Sequence, residues 1–146
     1  MHPLPHLYQV SVKTNFDGLV SISSVNLPDL TSDFPQEFNG SGQHWSPETL
    51  LCAAVADCFL LSFKAIAQAS KLSWISLRCD VTGRLEKGEQ GKLQFTHFEL
   101  QPILTVNSEK DSERALLLLE KAEANCLISN SLKSPVKLIP KIAIEG

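Results

Sequence analysis

The sequence predicts an α+β fold in which an antiparallel sheet is covered by one long central helix. Residues 50–69 are apolar almost all the way round a helix, which is typical of a helix packed on several sides. Residues 75–86 and 93–106 carry the alternating pattern of half-buried antiparallel strands and are separated by a short loop. A chain of 146 residues can bury a core of its own, so we expect residues 1–146 to form a single domain.

The N-terminal region is predicted to form a β-hairpin followed by a long loop. Strands over Leu7–Lys13 and Leu19–Val25 flank an Asp-Gly turn at residues 15–18. Prolines, glycines and polar residues then indicate a loop over residues 26–45, with room for one short strand. Loops of this length in a small domain are often functional.

A long helix is predicted to begin at Ser46, a favourable N-cap residue. Pro47 suits the first helical position, and Glu48 lies beside the positive end of the helix dipole. The stripe of Asp57, Lys64 and Gln68 is polar, and we expect the rest of the helix to be buried. A membrane span is the alternative, but the apolar run is barely long enough and charges lie within it.

The second half of the chain is predicted to alternate between strands and helices. The apolar side of the strand over 93–106 switches between Phe95 and Phe98, which indicates a β-bulge near Thr96. A helix follows, with Ser108 or Asp111 as its cap. The predicted elements are the strands 75–86 and 93–106 joined by the loop Lys87–Gly91, the helix Ser108–Asn125, a short helix or turn in Cys126–Pro135, and a final strand over 136–144.

Charge and composition exclude several kinds of protein. The net charge of −3, with no cluster of Lys and Arg, gives no footprint for nucleic acid. The N-terminus lacks the basic and apolar segments of a secretory signal, so we expect a cytoplasmic protein. Cysteines in that reducing compartment are rarely structural disulfides. None of the four has the close spacing of zinc ligands, and we expect neither a metal nor a bound cofactor.

The four cysteines have different surroundings. Cys79 lies on the apolar side of a strand and is predicted to be a core residue. Cys52 is about 120° around the helix from Cys58 and about 9 Å away along its axis, so it is also predicted to be core. Cys58 shares its face with Leu51, Ala54, Ser62, Ala65 and Ala69, which favour a close packing partner or a narrow pocket. Cys126 stands where helix-start amides would favour a thiolate, although inert burial stays open for both Cys58 and Cys126.

Three segments carry distinctive motifs. HWSPETLLCAAVADCF, residues 44–59, has a Pro-Glu pair opening the helix and, ten residues after the Glu, a cysteine followed by an aromatic residue. KAEANCLISNSL, residues 121–132, contains Cys126, and GKLQFTHFEL, residues 91–100, belongs to a predicted strand. Together the three segments resemble the OsmC/Ohr family of thiol-dependent hydroperoxide reductases, with Cys126 in the position of the family's second cysteine. The resemblance extends from Tyr8 to Ile144 and is closer to a general OsmC-like branch.

The resemblance implies an intertwined homodimer, with antiparallel sheets wrapped around two long central helices. It also implies reduction of organic hydroperoxides, or peroxide, in oxidative-stress defence. Cys58 would attack the peroxide, Cys126 would resolve the product as a disulfide, and an external dithiol of the lipoyl or another small type would reduce it. Glu48 would belong to the same site, but in a straight helix it lies about 15 Å along the axis from Cys58 of its own chain. It would therefore act across the dimer.

One departure from the family concerns the cation beside the reactive cysteine. The hydroperoxide-resistance branch has an arginine near the N-terminal hairpin, and here the segment SVKTNFDGLVS has none. The candidate cations are Lys13, Arg78, Arg84 and His44. Two other functions stay open. One is a non-catalytic protein of this fold that binds a small apolar ligand or acts as a redox-sensitive dimer. The other is a cysteine hydrolase, although no histidine is near either cysteine in the sequence.

Overall fold

The computed structural model describes residues 1–145, which divide into two units, residues 1–50 and residues 51–145. The first unit is a three-stranded antiparallel sheet in the order β1 (Ser11–Lys13), β2 (Val20–Ser23) and β3 (Leu30–Ser32). The predicted hairpin is confirmed, with shorter strands, and β3 is the short strand within the long loop. A 3₁₀ turn, Gln36–Phe38, follows β3.

The first unit buries none of the apolar side chains that the structure describes in residues 1–50. Its buried residues are Ser32 and Ser46, both polar. Phe16 is fully exposed and Tyr8 is 87% exposed. A small sheet depends on an apolar face packed against something else, because burial of apolar area supplies most of its stability. The apolar side chains of this unit are therefore open to solvent in the single chain.

The long helix α1 (Pro47–Ala69) begins where the sequence predicts. Ser46 caps it reciprocally with Thr49: the Thr49 amide donates to Ser46 Oγ at 3.1 Å, and the Ser46 amide donates to Thr49 Oγ1 at 2.9 Å. By length and composition alone α1 could cross a membrane, a property that core helices of soluble proteins share.

The prediction that α1 is buried outside its polar stripe is wrong for this single chain. One side packs into the core through Val55, Phe59 and Phe63. Another side remains open: Leu61 is 58% exposed, and Ala65 and Ala69 are also exposed. The open residues lie on the face that carries Cys58, where the sequence indicates a packing partner.

The sheet of the second unit is mixed. β4 (Ser76–Lys87) and β5 (Leu93–Val106) pair antiparallel, and the predicted bulge is confirmed, since Arg84 pairs with His97 and Leu85 with Phe95, which leaves Thr96 as the extra residue. The predicted final strand is in fact two, β6 (Val136–Leu138) and β7 (Lys141–Ile144), and both run parallel to β5. Proline interrupts the ladder between them, and the helical crossover after β5 returns the chain in the same direction.

Two further helices complete the second unit. Ser108 caps a 3₁₀ turn, Glu109–Asp111, which leads into α2 (Ser112–Ala124), and α3 (Leu127–Asn130) is the predicted short helix. Side chains from α1, β5 and α2 form the core, and its largest fully buried members are Phe59, Phe63, Phe98, Leu100, Leu104 and Leu119. The α+β class is confirmed.

Gly83 allows α1 to approach the sheet closely. A Cβ atom at this position would lie 2.7 Å from Cys52 Sγ and 3.0 Å from a ring carbon of Phe98. Cys52 therefore packs directly over β4 and, as expected, belongs with the residues that line the core.

Candidate active site

The second unit brings Cys58 and Cys126 together. Cys58 lies in the middle of α1 and is partly exposed, whereas Cys126 is the N-cap residue of α3 and has no exposed surface. The sulfur of Cys126 is 4.0 Å from the carbonyl oxygen of Val55, one turn before Cys58 on α1. The neighbouring Cys126 thiol lowers the pKa of Cys58, and both cysteines are free thiols.

Hydrogen-bond donors surround the sulfur of Cys58. Burial raises the pKa of this thiol, but the amide of Ile128, the thiol of Cys126, the amide of Leu127 and the hydroxyl of Ser62 together outweigh it. The pKa of Cys58 is therefore lowered from its ordinary value of 9.0. The two amides are at the start of α3, where backbone N–H groups have no partner within the helix. These donors stabilise a thiolate without a charged side chain.

The pKa of Cys126 shifts in the opposite direction. Burial raises its pKa, the hydroxyl and amide of Ser129 lower it, and the neighbouring Cys58 raises it again, with a net upward shift. The reason is the order in which the pair ionises: once Cys58 carries the charge, Cys126 keeps its proton and donates it to Cys58. Cys58 is therefore the first of the pair to ionise, while Cys126 keeps its proton.

Cys79 is the third free thiol, on the core side of β4. Burial raises its pKa, a hydrogen bond with the backbone of Gln101 lowers it, and the charge of Asp80 raises it further, to about 11. Its surroundings keep this thiol protonated at neutral pH, as expected of an inert packing residue.

Glu48 lies in the first turn of α1. Its Oε1 atom is buried and has no hydrogen-bond partner among residues 1–145. A buried carboxylate oxygen without a donor is costly, so a missing partner is indicated.

The candidate cations are distributed over both units. Within the second unit, Arg78 pairs with Asp80 and Arg84 with Glu86, each at 3.2 Å on the outward face of β4. In the first unit, Lys13 lies on β1 and His44 on the segment before α1, and both are exposed. The groups that hydrogen-bond to Cys58 within the described second unit are all neutral.

The sequence analysis placed Ser62 on the face of Cys58, but it identified neither Ser62 nor Ser129 as a group that lowers the pKa of a cysteine. Ser62 follows Cys58 by four residues and Ser129 follows Cys126 by three, spacings that place side chains on the same face of a helix. That spacing is a signal that could have identified both hydroxyls. Leu127 and Ile128 are far from Cys58 in the sequence, so no local sequence pattern could predict that their amides act on Cys58.

Comparison with known proteins identifies the family. A family model described as OsmC-like protein matches residues 40–141, most of the chain. The uncharacterized protein YmaD of Bacillus subtilis is 29% identical over 140 residues, with 91% of this chain and 90% of YmaD covered.

Solved structures share the fold. An OsmC-like protein of unknown function from Vibrio cholerae superimposes with a TM-score of 0.84 at 18% identity, covering 93% of this chain and 99% of that one. An organic hydroperoxide resistance protein OsmC from Legionella pneumophila gives a TM-score of 0.73 at 22% identity, covering 96% and 100%. The fold is that of a soluble protein. On the extent of the family match and this agreement of fold, the chain belongs to the OsmC-like protein family.

Proposed function

We propose that this protein is a thiol-dependent peroxidase that reduces organic hydroperoxides, or peroxide, with Cys58 as the attacking residue and Cys126 as the resolving residue. The observation that carries the proposal is the position of the Cys126 sulfur, 4.0 Å from the Val55 carbonyl oxygen on α1, one turn before Cys58. The Cys126 thiol and other neutral donors lower the pKa of Cys58. The Legionella relative, a protein of organic hydroperoxide resistance, adds support from a similar fold. A thiolate is the reactive form of cysteine toward peroxides.

The first step is nucleophilic displacement at the peroxide. The Cys58 thiolate attacks the distal oxygen, the O–O bond breaks, and the alkoxide leaves and takes up a proton from solvent to become the alcohol. Cys58 is oxidised to a sulfenic acid. The amides of Leu127 and Ile128 stabilise the thiolate before attack.

The second step forms a disulfide. The sulfur of Cys126 attacks the sulfur of the Cys58 sulfenic acid, an S–S bond forms, and water leaves. The Cys126 sulfur lies 4.0 Å from the carbonyl oxygen of Val55, one turn before Cys58, so the resolving thiol starts beside the stretch of α1 that carries Cys58. An external dithiol of the cytoplasm then restores both thiols by thiol–disulfide exchange.

We also propose that the protein acts as a homodimer. The open side of α1, at Leu61 and Ala65, and the uncovered apolar side chains of the first unit are surfaces that a second copy would bury. The unpartnered Oε1 of Glu48 is consistent with a carboxylate that meets the partner's site. Sedimentation at micromolar concentration tests this: a dimer is expected, weakened in Ala65→Arg, and a monomer would reject the proposal.

The activity test is the consumption of tert-butyl hydroperoxide and of hydrogen peroxide by the pure protein with dithiothreitol. Turnover is expected in the wild type and in Cys79→Ser, which removes a thiol outside the site. Cys58→Ser should have none, and Cys126→Ser should accumulate a sulfenic acid that dimedone labels. Absence of turnover with any dithiol, or full turnover in Cys58→Ser, would reject the peroxidase and favour a non-catalytic role.

A further inference from the structure

We infer that Asn130 is a positioning residue for Cys126: it clamps the short helix α3 to the end of α2 and so keeps the resolving sulfur beside α1. This inference rests on the proposed function, which gives Cys126 its role, and it adds a residue to that site. It is carried by two hydrogen bonds of Asn130, one to Ala124, which precedes Cys126 in the chain, and one to Cys126 itself.

Cys126 lies at the junction between two helices. α2 ends at Ala124 and α3 begins at Leu127, with Cys126 as the N-cap residue of α3. A helix of a single turn has almost no stability of its own, because its first hydrogen bond must fix the backbone of several residues. The position of Cys126 therefore depends on the contacts that hold α3 against its neighbours.

Two asparagine side chains donate to carbonyl groups at the end of α2. The last carbonyls of a helix have no donor within the helix and need one from outside it. The side-chain amide of Asn125 donates to the carbonyl of Lys121 at 2.8 Å, a bond that stays within the end of α2. The side-chain amide of Asn130 donates to the carbonyl of Ala124 at 3.4 Å. Asn130 therefore joins α3 to α2, whereas Asn125 caps α2 alone.

The main chain of Asn130 completes the clamp. Its N–H donates to the carbonyl of Cys126 at 3.0 Å and closes the turn of α3. Cys126 thus lies inside a short loop whose ends, Ala124 and Asn130, are held together by the asparagine side chain. In this position Cys126 has no exposed surface, and its sulfur is 4.0 Å from the carbonyl oxygen of Val55. Val55 precedes Cys58 by three residues, so the clamp holds Cys126 beside the stretch of α1 that carries Cys58.

The position of a resolving cysteine sets its effective concentration at the sulfur that it attacks. When α3 moves away from α2, the Cys126 sulfur spends less time beside α1, and a disulfide with Cys58 becomes less stable. The side-chain bond of Asn130 is long and exposed, so it contributes less than a buried bond. Its removal should lower the effective concentration of Cys126 by about threefold.

The first test measures the stability of the disulfide between Cys58 and Cys126 in a glutathione redox buffer, without any peroxide. Each disulfide that forms in the protein converts one glutathione disulfide into two glutathione thiols, so the equilibrium constant gives the effective concentration of the pair. In Asn130→Ala this constant should fall about threefold. Asn125→Ala is the matched control: it also loses an exposed asparagine bond at the end of α2, and it should keep the wild-type constant. An unchanged constant in Asn130→Ala, or an equal fall in both variants, would overturn the inference.

The second test measures how often Cys126 leaves its buried position in the reduced protein. The protein is alkylated with iodoacetamide, quenched at timed intervals and mapped by peptide mass. A buried thiol reacts when its surroundings open, so Cys126 should be labelled about threefold faster in Asn130→Ala than in the wild type or in Asn125→Ala. Slow labelling of the core thiol Cys79 in all three proteins verifies that they are folded. Equal labelling of Cys126 in all three would overturn the inference.

Failure of the proposed function is recognised separately from failure of the clamp. A protein that shows the expected differences in redox buffer and in alkylation, yet is not oxidised by hydroperoxide, would keep the role of Asn130 and reject the peroxidase. A protein that forms no disulfide between Cys58 and Cys126 in the redox buffer would overturn the inference itself.

Discussion

The regions around Cys58 and Cys79 shift the pKa values of two thiols in opposite directions. Both cysteines are partly buried in the second unit, and burial raises the pKa of each. The start of α3 offers Cys58 amides that its own helix does not use. The amides beside Cys79 belong to the ladder between β4 and β5, so one backbone contact, with Gln101, lowers its pKa. The supply of uncommitted donors, rather than burial, separates the thiol whose pKa is lowered from the thiol whose pKa is raised.

The rate of alkylation should show the largest difference between Cys58 and Cys79. With a pKa of about 11 for Cys79 and one below 9.0 for Cys58, the thiolate fraction at pH 7 differs by at least about a hundredfold. A thiolate of higher pKa is more reactive, which offsets about tenfold of that difference. We expect iodoacetamide to label Cys58 at least about tenfold faster than Cys79, measured by peptide mass at timed quenches.

The same experiment can contradict the expected difference between Cys58 and Cys79. Guanidinium-unfolded protein serves as the control, because all cysteines should then react at similar rates. Equal rates for Cys58 and Cys79 in the folded protein would mean that the donors of α3 do not stabilise the Cys58 thiolate.

A smaller effect is expected when one donor is removed. Leu127→Pro replaces the amide hydrogen by carbon at the first position of α3, where proline is well tolerated. Cys126, at φ −70° and ψ 115°, already has the extended backbone that a following proline requires. The pKa of Cys58 should rise, and its alkylation at pH 7 should slow by about three- to tenfold.

Leu127→Ala is the matched control for this change. It keeps the amide and removes a side chain that is 75% exposed, so its pH profile of alkylation should follow the wild type. Thermal unfolding of both variants verifies that they are folded. A wild-type profile in Leu127→Pro would show that the amide contact contributes nothing to the thiolate.

The local sequence pattern predicted most of the helices and strands, but it predicted only part of the candidate site. The cap at Ser46, the bulge at Thr96 and the hairpin follow from nearest neighbours, and each was predicted from the sequence. The parallel pairing of β6 and β7 with β5 depends on where the chain returns after α2, which no local pattern encodes. The amides that donate to Cys58 come from a helix about seventy residues away, so only the family resemblance connected Cys58 with Cys126 in advance.

The smallest predicted effect belongs to the inert thiol. The pKa of Cys79 is raised from 9.0 to about 11 in the folded protein, so the folded state holds its proton more tightly than the unfolded chain does. The resulting stabilisation is complete below pH 9 and is lost as the pH rises toward 11. A two-unit shift corresponds to about 2.7 kcal/mol, and we expect about 1 kcal/mol because solvent partly screens this residue. Urea unfolding at pH 8 and pH 11 should therefore show a smaller loss of stability in Cys79→Ala than in the wild type. The same loss in both proteins would mean that other groups cause the alkaline sensitivity and that the pKa of Cys79 is ordinary.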